Sequence, residues 1–202
     1  MVDKSVPFTG VIMTCDHPHT YPRCILPEGY VLRFYEPGME RDWAELQTSV
    51  DQLTSVEAAL DYFKRDFAPD PDTLRKRGVF IYAPDGKLAA SGILWYGSHL
   101  GRERPRIRKV AVAPDEQGKG LCKAVMTVLM DLYHKYGLNG GIYLTSQTWS
   151  YKAINIYFQF GFKSYIGPKP PRFTAVTDDF EQETCRAWNI IEEHLRVYRE
   201  QL

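Results

Sequence analysis

The chain has 202 residues, of which 44% are hydrophobic and 25% are charged, a composition typical of a single globular domain. Its 25 basic and 25 acidic side chains balance, which argues against general nucleic-acid binding, because that depends on a surplus of Lys and Arg facing phosphates. No apolar run approaches the roughly 20 residues of a membrane-spanning helix, so we expect no membrane span.

The first 29 residues are rich in Pro, His and Cys and show no sustained hydrophobic period, so residues 1–29 are predicted to form an irregular arm. Met1 to Gly10 lack the basic segment and apolar stretch of an export signal, which favours a cytoplasmic location and reduced thiols. The arm also holds four potential zinc ligands: Cys15, His17, His19 and Cys24. Their spacing fits no common zinc module, so no metal is expected.

Hydrophobic patterns and turn residues predict the elements in chain order. Before residue 100 they are a strand at 30–35, a helix at 39–49, a helix capped by Thr54 or Ser55, a loop at 69–72, and a hairpin of strands 78–82 and 88–96. After it come a strand at 106–113, a long helix at 118–136, a strand at 141–145, a helix at 150–160 and a strand at 162–166. Residues 168–202 are predicted to form a linker and an amphipathic helix, which caps the domain or pairs with another subunit in a homodimer.

The stretch with the clearest chemical meaning joins the strand residues Val110, Ala111 and Val112 to the long helix. It reads Gln117-Gly118-Lys119-Gly120-Leu121-Cys122-Lys123. Its two glycines let the backbone approach a ligand, and the first N–H groups of a helix have no internal partners and favour negative charge. The strand, the glycine turn and the helix start together predict a pyrophosphate site, where two lysines add positive charge.

Two known phosphate loops and one structural alternative compete with this interpretation. A Walker loop needs four residues between its glycines, and Gly118 and Gly120 are too close. A Rossmann fingerprint needs a third glycine where Lys123 stands, and a following βαβ unit with an acidic residue. A helix start that contains two glycines by chance remains open.

The loop resembles the first signature of the GNAT family of N-acyltransferases, which is Gln or Arg, two residues of any type, Gly, any residue, then Gly or Ala. Gln117 to Cys122 match this pattern except at the end, where Cys122 replaces the small residue. A second segment, about thirty residues on, resembles the family's Asn-x-x-Ala-x-x-x-Tyr-x-x-x-Gly-Phe. It matches at four positions and carries Ser150 in place of Asn; the matches are Ala153, Tyr157, Gly161 and Phe162.

The resemblance covers residues 30–167, expected to be an acyl-CoA-binding domain, and it implies a fold. That fold is mixed α/β (α+β), with a mostly antiparallel sheet, a central splayed pair of parallel strands, and helices on both faces. It also implies acetyl-CoA as co-substrate and direct transfer to a primary amine, for which a small molecule is favoured. A non-catalytic acyl-CoA sensor, or an enzyme that acetylates a protein lysine or N-terminus, remains an alternative.

The resemblance further implies roles for individual residues. Residues 117–123 would bind the pyrophosphate, Ser150 would cap its helix and contact the pantetheine arm, and a backbone N–H near Val112 would bind the carbonyl oxygen. A tyrosine at the position of Tyr157 protonates the departing CoA thiolate, for which a phenol has a suitable pKa. The strand Glu that the family often uses as general base has no counterpart, since residues 106–112 contain no acid, so the base is unassigned and a water relay is the default.

Four arginines alternate just before and within the strand predicted at 106–113, and in an extended chain they would project from one side. A solvated face is the favoured interpretation, and recognition of an anionic group on the acceptor or coenzyme is the alternative. They are Arg102, Arg104, Arg106 and Arg108.

Overall fold

The computed structural model describes residues 2–175 and 179–201; residues 176–178, which belong to the predicted linker, and the two terminal residues lie outside this description. The strands are β1 Gly10–Cys15, β2 Val31–Phe34, β3 Gly78–Tyr82, β4 Leu88–Gly97, β5 Arg104–Val112, β6 Ile142–Gln147 and β7 Lys163–Ser164. The helices are α1 Glu40–Ser49, α2 Val56–Asp66, α3 Pro71–Arg77, α4 Leu121–Lys135, α5 Tyr151–Gln159 and α6 Phe180–Glu200. Short 3₁₀ helices at Pro114–Glu116 and Thr148–Ser150 precede α4 and α5.

The seven strands of the described residues form one sheet in the order β2-β3-β4-β5-β6-β1-β7. Strand β3 pairs antiparallel with β2 and β4, and β1 pairs antiparallel with β6 and β7. The sheet contains one parallel pair, and β5 and β6 are joined by α4, the kind of crossover that parallel neighbours require. The sheet and its helices confirm the predicted mixed, mostly antiparallel α/β class.

Strand β1 shows that the expected irregular arm over residues 1–29 is wrong in its middle. Gly10 lies opposite Gln147 of β6, and Cys15 lies opposite Ile142. The residues between them are largely buried. An interior strand covered on both faces carries a continuous apolar run, so its sequence shows no alternation by which to recognise it.

The loop predicted at 69–72 is also wrong at its end, because α3 begins at Pro71. The Asp70 carboxylate caps this helix by accepting a hydrogen bond from the Thr73 N–H at 3.0 Å. Proline at the first helical position has no N–H to leave unsatisfied, so Asp-Pro is a helix start as well as a turn signal.

The chain divides into two compact units, each named here after one of its helices. The α4 unit comprises Pro22–Trp95 and Ile107–Leu138, and the α5 unit comprises Met1–Tyr21, Tyr96–Arg106 and Asn139–Leu202. Each unit contains residues from more than one of the predicted segments 1–29, 30–167 and 168–202. The units are therefore not the predicted domains, and the predicted domain boundaries stay a prediction.

The core of the α4 unit is aromatic. The Trp43 ring of α1 lies edge-on to Phe63 of α2, with centroids 5.0 Å apart, and edge-on to Phe67 at 6.0 Å. All three rings are buried, and each contributes about 1.5–3 kcal/mol by leaving water. Helix α4 packs closely on the predicted hairpin, because Gly92 of β4 lacks a Cβ that would lie 2.6 Å from Val125 Cγ1.

Helix α6 packs within the α5 unit, against β1 and α5. Its buried positions repeat every three or four residues and form one apolar stripe, which the chain itself covers. They are Phe180, Thr184, Ala187, Trp188, Ile191 and Leu195. Of the two roles predicted for this helix, capping is the one that the structure contains. In the described part of the chain, no helix combines the length and the apolar character needed to cross a membrane.

Candidate active site

The predicted phosphate loop lies in the α4 unit, between the end of β5 and the start of α4. Gly118 and Gly120 adopt left-handed backbone conformations, with φ of 82° and 83°. A Cβ placed on either glycine would meet no atom within 4 Å, so open space adjoins both. The glycines are therefore required by backbone conformation, and the space beside them is available to a ligand.

The start of α4 presents backbone donors beside this space. The first helical hydrogen bond runs from the Ala124 N–H to the Gly120 carbonyl at 3.0 Å, so the N–H groups of Leu121, Cys122 and Lys123 precede it. The Leu121 side chain is buried in the core, and only its backbone can face a ligand. Burial raises the pKa of the Cys122 thiol to about 12, so the thiol stays protonated and is a poor nucleophile.

Side chains of the loop are held by neighbours within the α4 unit. Gln117 Nε2 donates to the Val112 carbonyl at 3.3 Å and closes the turn. The Lys119 Nζ lies 2.9 Å from Glu116 Oε2, and the Tyr30 hydroxyl donates to the same oxygen. These hydrogen bonds, from Tyr30 and then Lys119, lower the pKa of Glu116, while the bond to Glu116 raises the pKa of Lys119. The loop therefore carries a fixed anion that partly neutralises its own lysine.

We expect Glu116→Gln to tighten acetyl-CoA binding by about fivefold, because removing an anion frees Lys119 and relieves repulsion of the phosphates. Calorimetric titration at low and high salt measures this, and the gain should shrink at high salt. Asp115→Asn, at the exposed neighbouring position, serves as the control. Equal or weaker binding by Glu116→Gln would contradict this view of the loop.

Strand β5 contains one residue with a left-handed backbone just before the loop. Lys109 has a φ of 54°, a left-handed conformation that disrupts regular strand pairing when it falls inside a strand. Gln47 Nε2 donates to the Lys109 carbonyl at 3.3 Å, and Gln52 Nε2 donates to the Val110 carbonyl at 2.7 Å. Side chains from the α1 region thus satisfy two successive carbonyls of β5. Sequence reasoning missed these glutamines, which precede their partners by 62 and 58 residues and belong to no local motif.

The second predicted group of site residues lies in the α5 unit, on and before α5. Tyr157 is 7% exposed, and its ring lies 6.4 Å from that of Phe162. Asn155 faces another way, since its Oδ1 accepts a hydrogen bond from Arg199 of α6 at 2.9 Å.

The expected capping role of Ser150 is wrong: its hydroxyl makes no cap and accepts a hydrogen bond from Gln147 Nε2 at 3.0 Å. Ser150 has φ of −100° and ψ of 27°, which is not the extended backbone conformation typical of a capping residue.

The alternating arginines do not form the solvated face that we favoured. The Arg108 side chain is only 10% exposed and binds Asp66 and the Tyr62 hydroxyl. Arg106 donates to Thr145 Oγ1 at 2.6 Å, and Arg104 to the Gly140 carbonyl at 2.5 Å. Arg102 lies outside the strand and is exposed. At least three of the four therefore bind protein groups.

The potential metal ligands near the N-terminus do not converge. Cys15 is buried in β1, and the rings of His17 and His19 stack on each other at 6.5 Å. Within residues 2–175 and 179–201, no group of three His, Cys, Asp or Glu side chains is arranged to hold a metal ion.

Comparisons with known proteins place this geometry in context. Three solved structures have folds similar to this one. A GCN5-related N-acetyltransferase from Sphaerobacter thermophilus is 19% identical, with a TM-score of 0.63 over 79% of this chain and 49% of that one. A GNAT-family acetyltransferase from Colwellia psychrerythraea is 15% identical, with a TM-score of 0.58 over 78% and 54%. A protein from Pyrococcus horikoshii is 21% identical, with a TM-score of 0.55 over 70% and 93%.

These likenesses bear on the fold alone, and the chain spans about half the length of the first two proteins. No match was found among curated proteins. A profile of the acetyltransferase (GNAT) family matches residues 40–162, which is more than half of the 202 residues. The chain therefore belongs to the GNAT family of acetyltransferases.

Proposed function

We propose that this chain transfers an acetyl group from acetyl-CoA to a primary amine, with a small molecule as the favoured acceptor. Family membership supports acyl transfer in general, while the donor and the acceptor are our proposals. The observation that carries the proposal is the start of α4, where Gly118 and Gly120 are both left-handed and border open space. Backbone N–H groups beside such a space form an anion site suited to a pyrophosphate.

In the proposed reaction, the N–H groups at the start of α4 bind the coenzyme's pyrophosphate, and Lys119 and Lys123 add positive charge. A neutral amine attacks the thioester carbonyl directly, and a C–N bond replaces the C–S bond. Tyr157 gives its phenolic proton to the departing thiolate, and the proton that the amine nitrogen loses on becoming an amide restores Tyr157 through solvent. Burial raises the pKa of the Cys122 thiol, which favours direct transfer over an acyl-cysteine intermediate.

Calorimetric titration of acetyl-CoA into the wild type and Gly120→Glu tests the coenzyme site. A carboxylate at Gly120 should repel the pyrophosphate and weaken binding by about 100-fold or more. Gly86→Glu is a matched control, because Gly86 has a φ of 84°, also borders open space, and lies in the hairpin turn. Both variants therefore carry the same backbone strain, and only one should lose the coenzyme.

The outcomes separate the alternatives. Equal loss of binding in both variants, or no binding by folded wild type, would overturn the coenzyme site. Binding without thiol release in the presence of small amines or lysine peptides would favour a non-catalytic sensor. Thiol release with peptides but not with small amines would favour a protein acceptor.

A further inference from the structure

A groove between α5 and α6, within the α5 unit, has no part in the proposed acetyl transfer. Its volume is about 660 Å³, which lies within the range of sites that bind small molecules. One residue of α5 and five residues of α6 line it, and none of them is predicted to bind the coenzyme. The lining residues are Phe158, Glu192, Leu195, Arg196, Arg199 and Glu200. Because those of α6 recur at three- and four-residue intervals, one face of that helix borders the groove.

The floor of the groove is apolar and is held in place by the core. Leu195 is 1% exposed, and Phe158 is half-buried. The Phe158 ring lies 6.2 Å from the ring of Trp188, a buried residue of α6. An apolar group that contacts this floor would leave water, which favours its binding.

The charged residues beside this floor do not neutralise one another. Glu192, Arg196 and Glu200 follow at four-residue intervals, a spacing at which ion pairs form on a helix. Arg41 and Glu45 of α1 form such a pair at 3.0 Å. Among the described residues, no ion pair joins Arg196 to either glutamate. Both signs of charge are therefore available to a ligand in the groove.

Arg199 is held in a fixed orientation by a buried side chain. Its Nε donates to Asn155 Oδ1 at 2.9 Å, and Asn155 is 7% exposed. In the part of the chain that the structure describes, Arg199 has no further hydrogen-bond or ion-pair partner. Its two terminal nitrogens thus keep their donors, and a planar guanidinium is matched in shape to a carboxylate. A donor that is already oriented loses less conformational entropy when it binds a ligand.

We propose that this groove binds a free amino acid with an apolar side chain, in its zwitterionic form. Arg199 and Arg196 bind the carboxylate, the two glutamates attract the ammonium group, and the apolar side chain lies on Phe158 and Leu195. The proposal does not depend on acetyl transfer.

The balance of charges favours this class of ligand over others. Two arginines and two glutamates carry no net charge, which matches a ligand that has one charge of each sign. A phosphate or a dicarboxylate would meet repulsion from the glutamates, and a polyamine would meet repulsion from the arginines. A neutral apolar molecule would leave all four charged groups without a partner.

Phenylalanine and three analogues test this recognition by calorimetric titration into the full chain. The analogues are 3-phenylpropionate, which lacks the ammonium group, phenethylamine, which lacks the carboxylate, and alanine, which lacks a large apolar side chain. We expect phenylalanine to bind and each analogue to bind at least about tenfold more weakly, because each loses one of the three interactions.

Matched variants of α6 assign the binding to the groove. Arg199→Gln should weaken phenylalanine binding about tenfold or more. Arg186→Gln is its control, because Arg186 is exposed on the same helix and also binds a side-chain amide oxygen, that of Gln182, at 2.6 Å. That control should stay within about twofold of the wild type.

The glutamates are tested by replacing both Glu192 and Glu200 with Gln, which should also weaken phenylalanine binding about tenfold. Replacing both Glu181 and Glu193 with Gln gives the control, because these exposed residues of α6 do not line the groove and the change in net charge is the same. Since all four glutamates are exposed, both double variants should fold, which thermal unfolding checks.

Three results would overturn the proposal. The first is no binding of phenylalanine to the folded wild type at millimolar concentrations. The second is binding of 3-phenylpropionate or phenethylamine as tight as that of phenylalanine, which would mean that the groove does not recognise a zwitterion. The third is an equal effect, or no effect, in the groove variants and their controls, which would place any binding elsewhere on the chain.

Discussion

Replacing Tyr157 with Phe should lower kcat for acetyl transfer by about 100-fold while acetyl-CoA binding stays within about twofold. The residue is nearly buried, and Phe keeps the ring that packs near Phe162. The change therefore removes only the hydroxyl, which would protonate the thiolate as the C–S bond breaks. Without that proton the leaving group departs as an anion. The activation free energy of the chemical step therefore rises, while the free energy of acetyl-CoA binding does not change. Steady-state thiol release and calorimetry measure the two effects separately.

Tyr151 offers a matched control on the same helix. It is 8% exposed, and its hydroxyl donates to Asp3 Oδ2 at 3.2 Å. Tyr151→Phe should cost about 1 kcal/mol of unfolding free energy by losing that hydrogen bond, and should leave kcat unchanged. A comparable fall in kcat for both variants would mean that the assay reports the packing of α5. An unchanged kcat in Tyr157→Phe would assign thiolate protonation to water.

Replacing Asp66 with Asn should lower the free energy of unfolding by about 2 kcal/mol, between the values for exposed and fully buried ion pairs. The Arg108 guanidinium binds Asp66 and the Tyr62 hydroxyl, and it lies 4.8 Å from the centroid of the Phe67 ring. The Arg108 side chain is 10% exposed and that of Asp66 is 19% exposed. Losing the carboxylate leaves a cation in the aromatic core with no anion to offset its desolvation. Urea unfolding measures the change.

The exposed pair Asp72–Arg75, with an N–O distance of 3.5 Å, provides the control for this experiment. Asp72→Asn should change the free energy of unfolding by less than about 0.5 kcal/mol, because water screens both side chains. If both variants lost a similar free energy of unfolding, partial burial of the Asp66–Arg108 pair would contribute no more stability than an exposed ion pair.

The same ion pair predicts how stability depends on pH. Burial alone would raise the pKa of the Asp66 carboxyl, but hydrogen bonds from Arg108 and Arg65 outweigh it, so the pKa lies below its ordinary value of 3.8. A carboxyl with a lowered pKa in the folded state stabilises the fold above its unfolded pKa and loses that contribution as pH falls through the folded pKa. The stability difference between wild type and Asp66→Asn should therefore be constant near neutral pH and shrink below about pH 4.

Local features of the sequence were sufficient to predict an element wherever its pattern lies within a few neighbouring residues. The apolar repeat of α4, the Pro-Asp-Gly turn between β3 and β4, and the Ser55 cap of α2 each depend on residues within a few positions, and the structure contains all three. The pyrophosphate prediction also rests on a short segment, and Gly118 and Gly120 adopt the left-handed conformation that makes glycine necessary there. The roles of these loop residues and of Tyr157 in binding and catalysis remain predictions.

The sequence by itself determined the family, the class of the sheet and the local form of the predicted phosphate loop, because each depends on residue types at fixed spacing along the chain. Only the tertiary structure decided that Gly10–Cys15 is an interior strand, that Gln47 and Gln52 donate to the carbonyls of Lys109 and Val110, and that His99 contacts Tyr143. These contacts join residues that lie 40 or more positions apart. The reason is physical: a buried strand or a buried carbonyl takes whichever partner the folded chain brings to it, and no local pattern records that partner.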